Sequence, residues 1–264
     1  MGSRFLRRTE KNKLRVKQSE KVAVARLRLE GYMGLFDKLM KKEKNVTKQV
    51  QIQKEKQEMI EDGKEALGWQ AIEEEFLRVY PDQVNPRHYG TLVKWIFGGN
   101  DPLDGISIYD GGTYWHFISF GLTEIYEKES DDKEVSGYGY ELTFKLKKEA
   151  YENEEVELKN ICGILQSIAR LVFNNGEIFC PDEFIYTGQT TGIDAFQKSN
   201  ITGFITIKDP TVESIDTPNG KVDFLELIGL TDAELKTLSS SDTVRKIYAE
   251  LGTDITDYHR ESVR

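Results

Sequence analysis

Cysteine is nearly absent, with only Cys162 and Cys180 in 264 residues. A disulfide-stapled scaffold needs more of them in a shorter chain, and a structural zinc site needs further ligands at CxxC-like spacing, so neither is supported. Two free thiols suit a reducing compartment, and a cytoplasmic location is the expectation. Histidine is almost as scarce: His88, His116 and His259 are the only three, and no HxH or HExxH occurs. Metal binding and imidazole catalysis therefore lack a motif, and no cofactor is expected. No apolar run approaches the roughly 18 residues of a membrane span. The basic N-terminus has no apolar core of the kind a secretory signal carries. The glycine pairs Gly98-Gly99 and Gly137-Tyr138-Gly139 fit neither G-x-G-x-x-G nor a P-loop, and read as turns or bulges. A G-x-S-x-G nucleophile elbow is also missing.

Charge is plentiful and unevenly placed. Residues 1–32 hold ten basic and three acidic side chains, a net charge of +7, whereas the rest carries 26 basic and 42 acidic, a net of −16. The acidic part repels phosphate backbones, so nucleic acid is excluded as its partner and a basic or mixed-charge protein is favoured. Residues 1–32 show no clean helical or strand stripe and are expected to be a poorly ordered extension. The alternative is a basic arm that docks on a membrane or a partner. Met33-Gly34-Leu35-Phe36 begins a second plausible start, and 33–62 reads as a polar helical segment.

One domain over 63–260 follows from the pattern beyond. From about Ala66, Leu67, Ile72, Phe76, Leu77 and Tyr80 share a helical face, ended by Pro81. Strands are predicted at 88–97, 105–109, 114–121, 138–147, 177–187, 201–209 and 220–229, with a hairpin turn at Asp110-Gly111-Gly112. Apolar residues at Ile161, Leu165, Ile168, Leu171 and Val172 predict a helix over 156–174. Two short helices follow at Asp232–Leu238 and Asp242–Leu251, each with a Thr or Asp near its start. Strand runs with a few helices and no regular βαβ alternation imply an α+β fold, with a mixed, largely antiparallel sheet and helices packed on its faces.

Candidate chemistry is thin. His116, between Trp115 and Phe117 in a predicted strand, reads as a satisfied core or sheet-face histidine. The acid runs Glu73–Glu75, Glu129–Asp132 and Glu152–Glu157 read as solvated faces and loops. A hydrolase using clustered carboxylates is the enzymatic alternative, and it would need two acids flanking a cleft. Less bland is the crowding of Trp69, Trp95, Tyr109, Tyr114, Trp115, Tyr126, Tyr138 and Tyr140 among acids. Aromatics anchor interfaces because they bury much area at small entropic cost. Trp95 and Trp115 are assigned to the core, and Tyr126, beside the acidic stretch Glu127–Val135, is the expected exposed contact.

The blocks Gly68-Trp69-Gln70-Ala71-Ile72, Tyr80-Pro81-Asp82-Gln83 and Gly98-Gly99-Asn100-Asp101-Pro102-Leu103-Asp104 follow one another along the chain. More specific is Trp115-His116-Phe117-Ile118-Ser119-Phe120-Gly121 through Tyr126, followed in order by Ser136–Phe144. Later come Thr217-Pro218-Asn219-Gly220 and Phe224–Leu230. In this order and spacing the blocks resemble the Suppressor of fused family. The resemblance implies a non-enzymatic protein-binding domain. Animal members sequester Gli-type transcription factors in a cleft between this domain and a second one, holding a peptide as an added strand. Bacterial members resemble immunity proteins that neutralise a toxin by binding it. By position the resemblance carries partner binding to Tyr126, with Asp131 and Asp132 of the following loop, and a basic toxin is the partner it suggests. A scaffold protein self-associating through the 33–65 helix is a further alternative.

Overall fold

The computed structural model describes residues 66–93, 95, 99–186 and 188–264. The segments expected at 1–32 and 33–62 lie outside the described residues. Helix α1 (Leu67–Val79) is followed by strands β1 (Arg87–Gly90), β2 (Gly105–Asp110), β3 (Tyr114–Phe120) and β4 (Val135–Lys147). Helix α2 (Glu154–Asn175), strands β5 (Phe184–Tyr186), β6 (Ile201–Lys208), β7 (Ile215–Thr217) and β8 (Gly220–Thr231), and helices α3 (Asp232–Leu235) and α4 (Ser241–Leu251) complete the chain. The strands form one sheet in the order β1-β2-β3-β4-β8-β6-β5, with β7 on β8. Pairings β1–β2, β2–β3, β3–β4, β5–β6 and β7–β8 are antiparallel. The fold is α+β, as the element pattern implied.

The described residues divide into two compact units, one of 66–178 with 208–226 and the other of 179–207 with 227–264. In the first, α1 buries Trp69, Ile72 and Phe76 from successive turns of one face. They pack with Tyr109 of β2, Ile118 and Phe120 of β3, and Val222 and Phe224 of β8. Trp69 stacks on Phe120 at 4.0 Å between ring centroids. The β2–β3 hairpin turns where the sequence places it, with Gly112 at φ +82 and its N–H donating to Asp110 Oδ1 at 2.7 Å. α2 starts at Asn153, whose side chain accepts from Val156 N, and ends at Gly176 in the left-handed region. In the second unit, Phe184, Ile205, Ile228, Leu230, Leu235, Val244 and Ile247 form a separate core. There Thr231 and Glu234 close a capping box on α3.

Three expectations change. The strand predicted at 88–97 ends at Gly90, and Leu92 and Val93 are 62% and 51% exposed. A dense apolar run has no alternation to mark its end, and here Thr91 Oγ1 turns to the Leu103 carbonyl instead. Trp95, assigned to the core, is half-buried. The strand predicted at 177–187 shrinks to Phe184–Tyr186, because Pro181 and Asp182, the latter at φ 66, form a turn ahead of it.

Gly68 sits where α1 presses on the loop after β3. A Cβ there would stand 2.4 Å from the Glu124 carbonyl oxygen and 2.9 Å from Ile125 Cα, both backbone. Helix propensity alone would make Gly68→Ala stabilising by about 1 kcal/mol. The clash reverses that sign, and chemical denaturation should show a loss of about 1–3 kcal/mol.

Candidate functional site

The β3–β4 connection, residues 121–134, is built from its ends inward. At its base Glu141 of β4 is fully buried and accepts from Ser119 Oγ (2.5 Å), Gly121 N (2.9 Å), Thr123 N (2.9 Å) and Thr123 Oγ1 (2.7 Å). Burial raises its pKa, and the hydroxyl and amide donors only partly oppose that rise. Gly121, at φ +134, faces the backbone of Pro102–Asp104 too closely for a side chain.

A second carboxylate closes the loop on itself. Glu124 accepts from Lys128 Nζ (2.6 Å), Glu129 N (2.8 Å), Ser130 N (2.5 Å) and Gly137 N (3.0 Å). Lys128 also donates to the Val135 carbonyl at 2.6 Å, tying the two ends together. Burial would raise the Glu124 pKa, but the ammonium and three backbone N–H groups outweigh it and bring it down to about 2. From outside, Asn219 Nδ2 donates to the Glu124 carbonyl at 2.5 Å and Trp69 N to the Ile125 carbonyl at 3.1 Å. The result is a braced loop whose outer residues Glu127, Glu129, Asp131, Asp132, Lys133 and Glu134 are exposed.

Asp131 and Asp132 thus stand at the exposed tip. Tyr126, expected to be exposed, is half-buried at the root of the loop and packs against the α1 core. Burial first, and the Asp104 carboxylate to which it hydrogen-bonds second, push its phenol pKa up. Its ring is therefore only partly open to solvent.

Beneath α1 lies a constellation that sequence reasoning reached only in part. The register Tyr109↔His116↔Lys145 runs across β2, β3 and β4. His116 meets Tyr80 Oη through Nδ1 at 2.8 Å and Asp209 Oδ2 through Nε2 at 2.9 Å. Lys145 Nζ donates to Asp209 Oδ1 and Glu226 Oε2, both at 2.9 Å, and Thr143 Oγ1 donates to Asp209 Oδ2 at 2.7 Å. Burial alone would raise the Asp209 pKa, yet His116 and Lys145 hold the carboxyl well below its usual range. His116 and Glu226 are wholly buried, and Lys145 and Asp209 nearly so.

A histidine–aspartate pair beside a lysine invites an enzymatic reading. A general base must reach the proton it removes, however, and these side chains point at one another away from solvent. What the cluster does is join α1, β3, β4, β8 and the β6–β7 connection by charge-assisted bonds. The buried histidine was legible as such. The partners of Lys145 lie 64 and 81 residues away, and the only signal was a charge interrupting apolar strands at Lys145 and Glu226. The expected solvated acids also change in part: Glu75 is buried and binds Arg78 and the Glu213 N–H, and Glu157 is buried in α2.

Comparison with known proteins adds the lineage. The model of the Suppressor of fused protein family matches residues 99–261. The human Suppressor of fused homolog is 34% identical over 181 residues, which cover 64% of this chain and 36% of that protein. The chain thus spans about a third of the length of the curated relatives it matches. Among solved structures, a Sufu–Fu complex is 31% identical with a TM-score of 0.64, covering 74% of this chain and 91% of that one. The Drosophila Suppressor of Fused structure is 31% identical, also at TM-score 0.64, over 75% and 51% of the two chains.

Two outcomes follow for the bracing groups. Because Glu124 is depressed when folded, its stabilisation is complete above its ordinary value of 4.5 and fades as pH falls toward about 2. Glu124→Gln should therefore speed amide exchange at Glu129, Ser130 and Gly137 at pH 7, and the stability gap to the parent should close in acid. Asp209→Ala strands Lys145 and His116 without their shared acceptor and should cost on the order of 3–5 kcal/mol in urea unfolding.

Proposed function

The chain belongs to the Suppressor of fused family, and from that premise we propose that it is a non-catalytic protein-binding module whose contact surface is the braced acidic loop. One observation carries the reading. Glu124 and Glu141 hold the loop in one shape while its tip presents Glu129, Asp131 and Asp132 to solvent. An interface ordered before binding loses little conformational entropy on association. Tyr126 at the loop root supplies a partly exposed aromatic side chain, and Asp131 and Asp132 supply the charge.

The partner this surface suits is basic. A net charge of −16 over residues 33–264 steers cationic proteins toward it. One of the solved relatives is a Sufu–Fu complex, a family member bound to another protein, which supports a binding role. For this chain we favour neutralisation of a basic toxin by occlusion, the role of a bacterial immunity protein acting in the cytoplasm. The two cysteines are both free thiols, which accords with a reducing compartment.

The test is affinity capture from the native host with the full chain as bait, followed by kinetics on the captured protein. Asp131→Lys with Asp132→Lys should slow association roughly tenfold or more at low salt, with a smaller effect at high salt. Both residues are exposed, so the melting temperature should hold. Tyr126→Ala should speed dissociation. Unchanged binding in both variants removes this loop as the contact surface, and an acidic captured partner removes the toxin reading.

A further inference from the structure

The first described residue, Ala66, stands beside the acidic loop. It packs on the core cluster against which Tyr126 of the loop root also packs. Gly68 lies against the backbone of Glu124 and Ile125, and the Trp69 N–H donates to the Ile125 carbonyl at 3.1 Å. Residues 1–65 therefore join the rest of the chain at the root of that loop.

The two sides of this junction carry opposite charge. Residues 1–65 hold 18 basic and ten acidic side chains, a net of +8, whereas 66–264 hold 18 and 35, a net of −17. Nearly all of the positive excess lies in residues 1–32, at +7. Several exposed carboxylates elsewhere have a cation of their own: Glu154 takes Arg87, Glu155 takes Lys159 and Asp110 takes Lys148. The loop differs. Glu129, Asp131 and Asp132 are exposed, and among the described residues none of the three meets a cation. Lys128, their neighbour in sequence, is turned onto Glu124 and the Val135 carbonyl instead.

Unpaired negative charge held in a fixed place, with positive charge tethered at its root, makes an intramolecular encounter. A tethered ligand meets its site at an effective concentration on the order of millimolar, so a contact too weak to hold a free peptide is populated in cis. Residues 33–65 supply roughly 100 Å of tether at full extension, far more than a loop at the tether's own root requires. We propose that residues 1–32 occupy the acidic loop of their own chain, an autoinhibitory contact that a cationic partner must displace. Only a partner that outcompetes a +7 segment then engages the loop, which sets a threshold against weakly basic proteins. Displacement rests on the loop being the partner surface; the cis contact does not.

The experiment is zero-length carbodiimide coupling, which joins lysine amines to carboxylates in contact, on the full chain at low salt and low protein concentration. Products of monomer mass are expected, with peptide mapping joining Lys11, Lys13, Lys17 or Lys21 to Glu129, Asp131 or Asp132. Their yield should fall severalfold as salt screens the contact. Couplings scattered over the acids of 66–264 without preference for the loop overturn the proposal. Couplings found only in dimers also overturn it, because they put the arm on a second copy. Arg4→Gln, Arg7→Gln, Arg8→Gln, Arg15→Gln, Arg26→Gln and Arg28→Gln together keep every lysine but take residues 1–32 to +1. Loop coupling should then drop by roughly threefold or more. An undiminished yield would trace the coupling to reach rather than charge and overturn the contact. Excess oligolysine, a cationic probe, should lower coupling in the parent chain, and coupling that it leaves unmoved overturns displacement. No partner protein enters these measurements, so their failure and a failure of the binding role are separate results.

Discussion

Lys145 holds an ammonium group where water does not reach it, and the architecture around it follows from that fact. Removing such a charge from water costs several kcal/mol, which only close and well-aligned counter-charges can offset. Asp209 and Glu226 supply them from the β6–β7 connection and from β8, each at 2.9 Å. Asp209 is in turn fixed by His116, Thr143 and the Thr211 N–H, and His116 by Tyr80 at the end of α1. Five segments, α1, β3, β4, the β6–β7 connection and β8, must therefore arrive in one register before all of these groups are satisfied. An apolar core tolerates small slips; a buried network of this kind does not. That intolerance places α1 firmly over the sheet, and α1 is one wall against which the acidic loop is braced.

The loop obeys the same logic at smaller scale. Glu141 is held by hydroxyl and amide donors, and burial drives its pKa upward. Glu124, nearer solvent, has Lys128 and three N–H groups and moves the other way. Each carboxylate can be satisfied by only one arrangement of the backbone around it. Side chains at the tip thus gain a defined position, to which Asp132 adds by accepting from the Glu134 N–H at 3.0 Å.

Most of this fold was legible, for a definite reason. Alternation in β2, β3 and β4 and the 3.6-residue repeat in α2 are local signals, and both survive in any tertiary context. The 88–97 run failed because it is apolar without period, and the 177–187 run because Pro181 and Asp182 turn the chain before Phe184. β7, three residues long, carries too little pattern to be read. The block from Trp115 to Tyr126 contains the buried histidine that the sequence marked as a core residue and leads into the acidic loop. The half-burial of Tyr126 and the identity of Asp209 and Glu226 depend on who lies opposite whom, and residues dozens of positions apart announce no such pairing.

A chain with its ionisable interior committed this fully has little left inside to change state. His116, Lys145, Asp209 and Glu226 are shut from solvent, and Cys162 is buried with its thiol pKa pushed up, so it makes a poor nucleophile. What the proposed binding role needs then lies on the surface, in the first unit's braced acidic loop. Under that role added salt should weaken the attraction for a cationic partner. Because Glu124 and Glu141 hold the loop through backbone and hydroxyl donors, the charges of its exposed residues can be varied without disturbing the buried network around Lys145.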